Sequence, residues 1–395
     1  MYSERKLQRA HETDDRYSAF PYICLLLAML FSAAQITSSL WLDETATYWV
    51  VKDGIRDVVA RSWAWSGQSA IYYLTAWISR HLGPYIGLEL ALRLPTFLAF
   101  IAAVVLLYRL GRYLMNPTAG ILAALAFVCI PDVSFAAIDA RPYMLGLALL
   151  MASMLCFFKW LDSGKLLFAI LYTISAALVV YCHYLFGLAL FAQLIYGLRY
   201  WRKLVPLWIA VGALCLPLAG QLLHFYQTRG THSFDADPDV KTLFTAIAPP
   251  IVAGSVLLAI LVSRKVTRLR HRIHWPFLLA WLVFPPAFLF AISSFSDTKL
   301  FVTRYYLSCS PAVALLAGYA ISRLSAYRFA STLLTASLAI GIWRAGPIHG
   351  NEDWRGVTEA VNARESGADT VFVTSGFVEG TSREIDNVAL RDVLF

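Results

Sequence analysis

The sequence predicts an all-α polytopic membrane protein with about 11 transmembrane helices, and three observations carry that expectation. Apolar residues make up 59% of the 395-residue chain and charged residues 15%, against about 25% charged in soluble domains. The apolar residues gather in runs near the ~20 residues that cross a bilayer. Aromatic residues reach 14%, with 12 Trp and 20 Tyr, which suits belts at the membrane–water interface.

The runs lie near 20–42, 88–110, 118–137, 142–160, 166–182, 184–199, 204–223, 243–263, 275–295, 304–322 and 328–345. The division within 166–199 is narrow, because only Tyr181-Cys182-His183-Tyr184 separates two runs. Residues 1–19 are polar and lack an A-x-A cleavage site, so the first run reads as a retained span rather than a signal peptide. Lys and Arg set the orientation. With the N-terminus cytoplasmic, the inner segments hold clusters such as Arg109 and Arg112, Lys159 and Lys165, Arg199 to Lys203, Arg264 to Arg272, and Arg323 with Arg328. That is the positive-inside bias. It also accounts for the net charge of +8, since basic inner loops face an anionic leaflet; no nucleic-acid partner is expected.

Acids follow the opposite pattern. The outer segments carry Asp43, Glu44, Asp53, Asp57, Glu89, Asp132 and Asp139, whereas the inner loops after the first span carry Asp162. Acids contribute little to topology, so their clustering points to function.

Two units follow. Residues 1–345 form a transmembrane module. Its first outer loop, 43–87, holds amphipathic helical stretches over about 45–61 and 69–81, which suit the plane of the interface. Residues 346–395 are soluble in character. A polar helix after Glu352-Asp353-Trp354 and a β-type run from Asp369 to Ser375 predict a short extracytoplasmic α/β segment, read as truncated against a full domain.

The six cysteines, Cys24, Cys129, Cys156, Cys182, Cys215 and Cys309, lie in apolar segments without CxxC spacing, which argues against a disulfide framework or a zinc site. No GxxxxGK[ST], GxGxxG after a strand, HExxH or GxSxG occurs, so ATP hydrolysis and zinc proteolysis have no support in the sequence.

Four short motifs carry the chemistry. Asp43-Glu44 follows the apolar run ending Leu40-Trp41-Leu42; such acids either cap the next helix or supply a general base at the bilayer surface. Asp139-Ala140-Arg141-Pro142-Tyr143 opens a span with Pro in its first turn, and Arg141 either pairs with Asp139 or holds an anion. His183 stands among aromatics, as a packing residue or as a ligand. Lys299 to Tyr306 brings Lys299, Arg304 and Tyr305 to a helix start, either as an anchor or as an anion site. Asp235-Ala-Asp237-Pro-Asp239 has the DxD spacing of a metal motif but reads as a solvated loop.

Taken in order, Asp43-Glu44-Thr45-Ala46-Thr47-Tyr48-Trp49, Ser69 to Tyr73, Glu89 to Pro95, Asp139 to Met144, His183-Tyr184 and Phe301 to Tyr305 resemble the GT-C glycosyltransferase superfamily. Within it the likeness is to bacterial protein-mannosyltransferase-like, family-39-type enzymes and rhizobial galacturonosyltransferases, with aminoarabinose lipid A transferases a more distant match. The resemblance implies a sugar taken from a polyprenyl-phosphate donor and passed, outside the bacterial inner membrane, to a lipid, glycan or protein of the envelope. It implies that Asp43 is the base or the acceptor ligand with Glu44 beside it, that Arg141, His183, Lys299, Arg304 and Tyr305 handle the donor phosphate, and that Glu89, Arg93 and Asp139 support the first loop. Asp43 and His183 are the candidate ligands should a divalent ion take part. The rival readings are a transporter or flippase of a lipid-linked or anionic solute and an O-antigen-ligase-like enzyme. Against the transporter, ionisable residues gather near span ends rather than mid-span and no internal repeat is evident.

Overall fold

The computed structural model describes residues 18–64, 70–227, 238–266, 274–296, 298–345 and 353–363. Among these, regular structure is helical, apart from one isolated bridge between Val266 and Leu324. The helices are α1 (Phe20–Ala33), α2 (Leu42–Val51), α3 (Ile55–Ala64), α4 (Ala70–Arg80), α5 (Leu88–Leu114), α6 (Pro117–Val128), α7 (Pro131–Ala137), α8 (Tyr143–Ser163) and α9 (Leu166–Cys182). A run of short helices covers Tyr184–Gln227. Then follow α10 (Val240–Ile247), α11 (Pro250–Val262), α12 (Trp275–Phe295), α13 (Ser310–Ser322), α14 (Tyr327–Ala345) and α15 (Trp354–Asn362).

Four segments are long and apolar enough to cross a membrane: α5, α8, the run Tyr184–Gln227 and α12. The bent pairs α6–α7 and α10–α11 raise this to six if each is one span. The protein is therefore a multi-pass membrane protein. By these criteria the described helices give four to six spans, where the hydropathy of the sequence predicts eleven. Several expected spans are shorter or broken. The run 20–42 is helical only to Ala33, and α9 is 17 residues long. The run 118–137 bends by 76° between α6 and α7, where Pro131 opens the second helix and cannot donate a continuing backbone hydrogen bond.

The core lies between α5, α6, α8 and α13, and small residues let the backbones approach there. A Cβ on Gly318 of α13 would meet the backbone nitrogen of Ala123 in α6 at 2.4 Å, and one on Gly111 of α5 would meet the Cα of Gly120 at 2.8 Å. Leu107, Leu122, Leu147, Met151 and Leu315 are fully buried in this cluster. It is the rigid base on which the loops at one end of the bundle rest.

The expected amphipathic stretch 45–61 is two helices, α2 and α3, joined by Lys52 to Gly54. The joint is held by guanidinium and indole donors: Arg80 gives Nη1 to the Lys52 carbonyl, and Trp77 gives Nε1 to the Asp53 carbonyl at 2.8 Å. Arg61 donates to the Trp49 carbonyl at 2.8 Å and pairs with Asp53 at 2.5 Å. The expected stretch 69–81 is α4. Beyond α14, helix α15 is described, with Asp353 capping it through the Gly356 N–H. The expected β-type run 369–375 lies outside the described residues, as do Asp235 and Asp237 of the DxD spacing.

Candidate functional site

The site is assembled from four helix ends. Asp43 and Glu44 stand in the first turn of α2, Arg141 just before α8, His183 just after α9, and Arg304 in the short helix Thr303–Tyr306 ahead of α13. At such ends backbone groups lack helical partners, so polar side chains concentrate there while the spans stay apolar.

Adjacent in sequence, Asp43 and Glu44 have separate surroundings. Glu44 is fully buried and faces Arg93 of α5, also fully buried. Arg93 Nε donates to Oε1 at 2.7 Å and Nη2 to Oε2 at 2.5 Å. The Ala140 N–H reaches Oε1 at 2.8 Å and the Trp41 N–H reaches Oε2 at 3.2 Å. Four donors fill the roughly four acceptor positions of a carboxylate, leaving no place for a substrate proton. Glu44 thus ties the start of α2 to α5 and to the 139–141 segment. The rest of the Arg93 guanidinium holds the Ile36, Ser38 and Ser39 carbonyls at 2.9, 2.6 and 3.0 Å. These bonds replace helical ones, which is why α1 ends well before residue 42.

Asp43 is only partly buried. Its Oδ2 lies 3.2 Å from Arg304 Nη1, with the Asp43 side chain 24% exposed and that of Arg304 40%. Arg141 is buried and donates from Nη1 to the Asp43 carbonyl at 3.3 Å. It also bonds the Tyr73 hydroxyl of α4. Its partners are a carbonyl and a phenol rather than a carboxylate. His183 is buried with its ring centroid 5.7 Å from that of Tyr143 and 5.3 Å from that of Tyr305. Arg304 lies over the Tyr305 ring at 5.5 Å. Asp43, Arg141, His183, Arg304 and Tyr305 are therefore brought together, with Tyr143 among them.

Three buried polar atoms of this group, Arg141 Nε, the Tyr143 hydroxyl and His183 Nδ1, have no hydrogen-bond partner among the described residues. Buried polar atoms are nearly always paired, so such a set fits a ligand rich in acceptor oxygens. Burial lowers the pKa of His183, and the charges of Arg141 and Arg304 lower it further. His183 is therefore neutral near pH 7, with one ring nitrogen to donate and one to accept.

Asp139 is fully buried, accepts the Trp41 indole N–H at 3.1 Å through Oδ1, and has no partner for Oδ2 among the described residues. Burial first, and then the charge of Glu44, raise its pKa well above the ordinary carboxylate range. The protonated form is thus favoured over that of an ordinary carboxylate. Lys299 donates to the Ser293 carbonyl at 3.0 Å, near the end of α12. Glu89, one turn before Arg93 on α5, pairs with Arg355 of α15. Among the described residues no three His, Cys, Asp or Glu side chains form a group able to hold a metal. Asp43, one of the two candidate ligands, has a guanidinium for its partner, which does not fit a divalent ion at that carboxylate.

Trp41, Tyr73 and Tyr143 join the site without having been singled out as site residues. Tyr73 and Tyr143 do stand inside the recognised motifs, and Trp41 immediately precedes the acids. Their signal was proximity in sequence to charged residues at span ends.

No family model and no curated protein sequence matches the chain. Among solved structures it is similar to the crystal structure of ArnT from Cupriavidus metallidurans bound to undecaprenyl phosphate, with a TM-score of 0.52 and 16% identity over 78% of this chain and 60% of that one. It is also similar to the same protein in the apo state, with a TM-score of 0.51 and 17% identity over 78% and 59%. The chain has the GT-C fold. It spans about 60% of the length of the ArnT chain it matches. At these identities the likeness concerns the fold, which agrees with the architecture expected from the ordered motifs.

Proposed function

We propose that this chain is a membrane glycosyltransferase that moves a sugar from a polyprenyl-phosphate donor to an acceptor hydroxyl, on the extracytoplasmic side of a bacterial inner membrane with the N-terminus cytoplasmic. The observation that carries the reading is the Asp43 carboxylate beside Arg304, next to the unpartnered Arg141 Nε, Tyr143 hydroxyl and His183 Nδ1. A base and an anion pocket thus lie side by side at one end of a bundle whose fold is similar to a protein solved with undecaprenyl phosphate.

In this reading Arg141, Arg304, Tyr143 and neutral His183 receive the donor phosphate. Asp43 takes the proton of the acceptor hydroxyl while its oxygen attacks the sugar C1 from the face opposite the phosphate. The new C1–O bond forms, the C1–O bond to phosphate breaks with its electron pair, and polyprenyl phosphate leaves with a charge the arginines stabilise. Glu44 serves by position: with Arg93 it fixes the first turn of α2, and so the place from which Asp43 acts. The acceptor is a lipid, glycan or protein of the envelope. The sugar is a hexose or pentose.

The test is to purify Asp43→Asn and assay transfer from a panel of undecaprenyl-phosphate sugars to envelope acceptors, with products read by mass spectrometry. Turnover should fall by about 10²–10⁴, the range for loss of a positioned general base. Near-wild-type turnover would remove Asp43 from the chemistry.

A further inference from the structure

Helix α15 reaches back to the loop in front of Asp43. Arg355 donates from Nε to Glu89 Oε1 at 2.8 Å and from Nη2 to the same oxygen, so both donors converge on one acceptor. Its Nη2 also reaches the Thr37 carbonyl at 3.1 Å, and its backbone N–H reaches Ser39 Oγ at 3.3 Å. Arg93 holds the carbonyls of Ile36, Ser38 and Ser39. Four consecutive carbonyls, 36 to 39, are thus taken by two guanidiniums, one buried and one half-exposed.

A loop between helices has few backbone partners of its own. Here α5 supplies the anchor for both: Arg93 directly, and Glu89, one turn earlier, by seating Arg355. The same loop leads through Leu40 and Trp41 to Asp43, and Arg93 continues from the loop into Glu44. Fixing residues 36–39 therefore limits how far Asp43 can move.

We propose that α15 is a strap on this loop and that Arg355 is a positioning residue for Asp43. The inference rests on the glycosyl-transfer reading above, because Asp43 needs a fixed position only if it meets a reacting hydroxyl. Arg355 touches neither Asp43 nor the phosphate-binding group. Its loss slows the chemical step and leaves donor binding in place.

The experiment uses the full chain in lipid nanodiscs, as wild type, Arg355→Ala, Arg355→Lys and Glu89→Gln. Hydrogen exchange is followed on peptides covering residues 34–48, and transfer kinetics are measured with an undecaprenyl-phosphate sugar that the wild type accepts. In Arg355→Ala and Glu89→Gln, exchange over 36–45 rises several-fold. Turnover at saturating donor falls about tenfold, less than the ~10² that a 1 Å misplacement can cost, while the donor KM stays within about twofold. Arg355→Lys, which keeps a cation for Glu89, recovers most of the turnover. Unchanged exchange and turnover in Arg355→Ala would overturn the strap, as would a donor KM that rises as much as turnover falls. If exchange rises as expected but the wild type transfers sugar from no donor, the strap on the loop stands and the transfer reading fails.

Discussion

Two ion pairs at the start of α2 differ in almost every physical respect. Glu44–Arg93 is fully buried and saturated with hydrogen bonds; Asp43–Arg304, one residue away, is part-exposed and bordered by polar atoms that have no partner among the described residues. A buried pair with every lone pair occupied can hold geometry but cannot exchange protons with a ligand. An open pair adds little stability, yet its members remain available. The separation lets the fold hold the start of α2 through Glu44 and leave the neighbouring carboxylate of Asp43 part-exposed.

The sharpest way to break this comparison is at the buried pair. Arg93→Met leaves Glu44 as an uncompensated buried carboxylate and should cost about 3–5 kcal/mol, seen as a large drop in thermal stability in detergent and in folded yield. A small drop would mean that the clamp is not what fixes α2.

Next comes the open pair. Arg304→Gln should lower turnover by about 10²–10³, the usual loss for one preorganised charge-stabilising contact. Its melting curve should shift by no more than the ~1 kcal/mol of an exposed ion pair. A stability loss as large as that of Arg93→Met would erase the distinction between the two pairs.

Asp139, behind both, offers a pH test. Burial, and then the Glu44 charge, hold the Asp139 carboxyl above the ~3.9 of a free Asp side chain, so the folded chain binds that proton more tightly than the unfolded one. Stability from that proton is complete below the unfolded value and is lost as pH rises through the folded one. Asp139→Asn, which can still accept the Trp41 indole N–H, should therefore become progressively more stable than wild type as pH is raised from 4 to 8. Parallel melting curves across that range would show that Asp139 ionises freely.

The smallest effect lies at the joint between α2 and α3. Asp53 is nearly half-exposed, and its pKa is lowered chiefly by the Arg61 hydrogen bond. Asp53→Asn should change stability by less than ~1 kcal/mol and leave turnover intact. A turnover loss would show that the far end of α2 also fixes Asp43.

Hydropathy alone was enough to make this chain a multi-pass helical membrane protein, because transfer of apolar side chains from water depends on composition and run length more than on partners. The ordered motifs likewise pointed to a GT-C fold. Where the sequence predicts a continuous first span to residue 42, the helix stops at Ala33, because carbonyls that a longer helix would satisfy internally are taken by Arg93 and Arg355. Hydropathy cannot register that competition. Nor could the bend between α6 and α7 be read from average apolarity, although Pro131 marks its place.

By residue type and position alone, apart from the family resemblance, Asp43 and Glu44 are interchangeable: two acids after an apolar run, at a helix start. Their surroundings are set by residues 261 and 49 positions away, Arg304 and Arg93. The residue types, their order and their place at span ends were determined by the sequence itself. Which carboxylate is sealed and which is open was decided only by the tertiary structure, since the energy of a charge depends on its solvent and its partner, and both are set by packing.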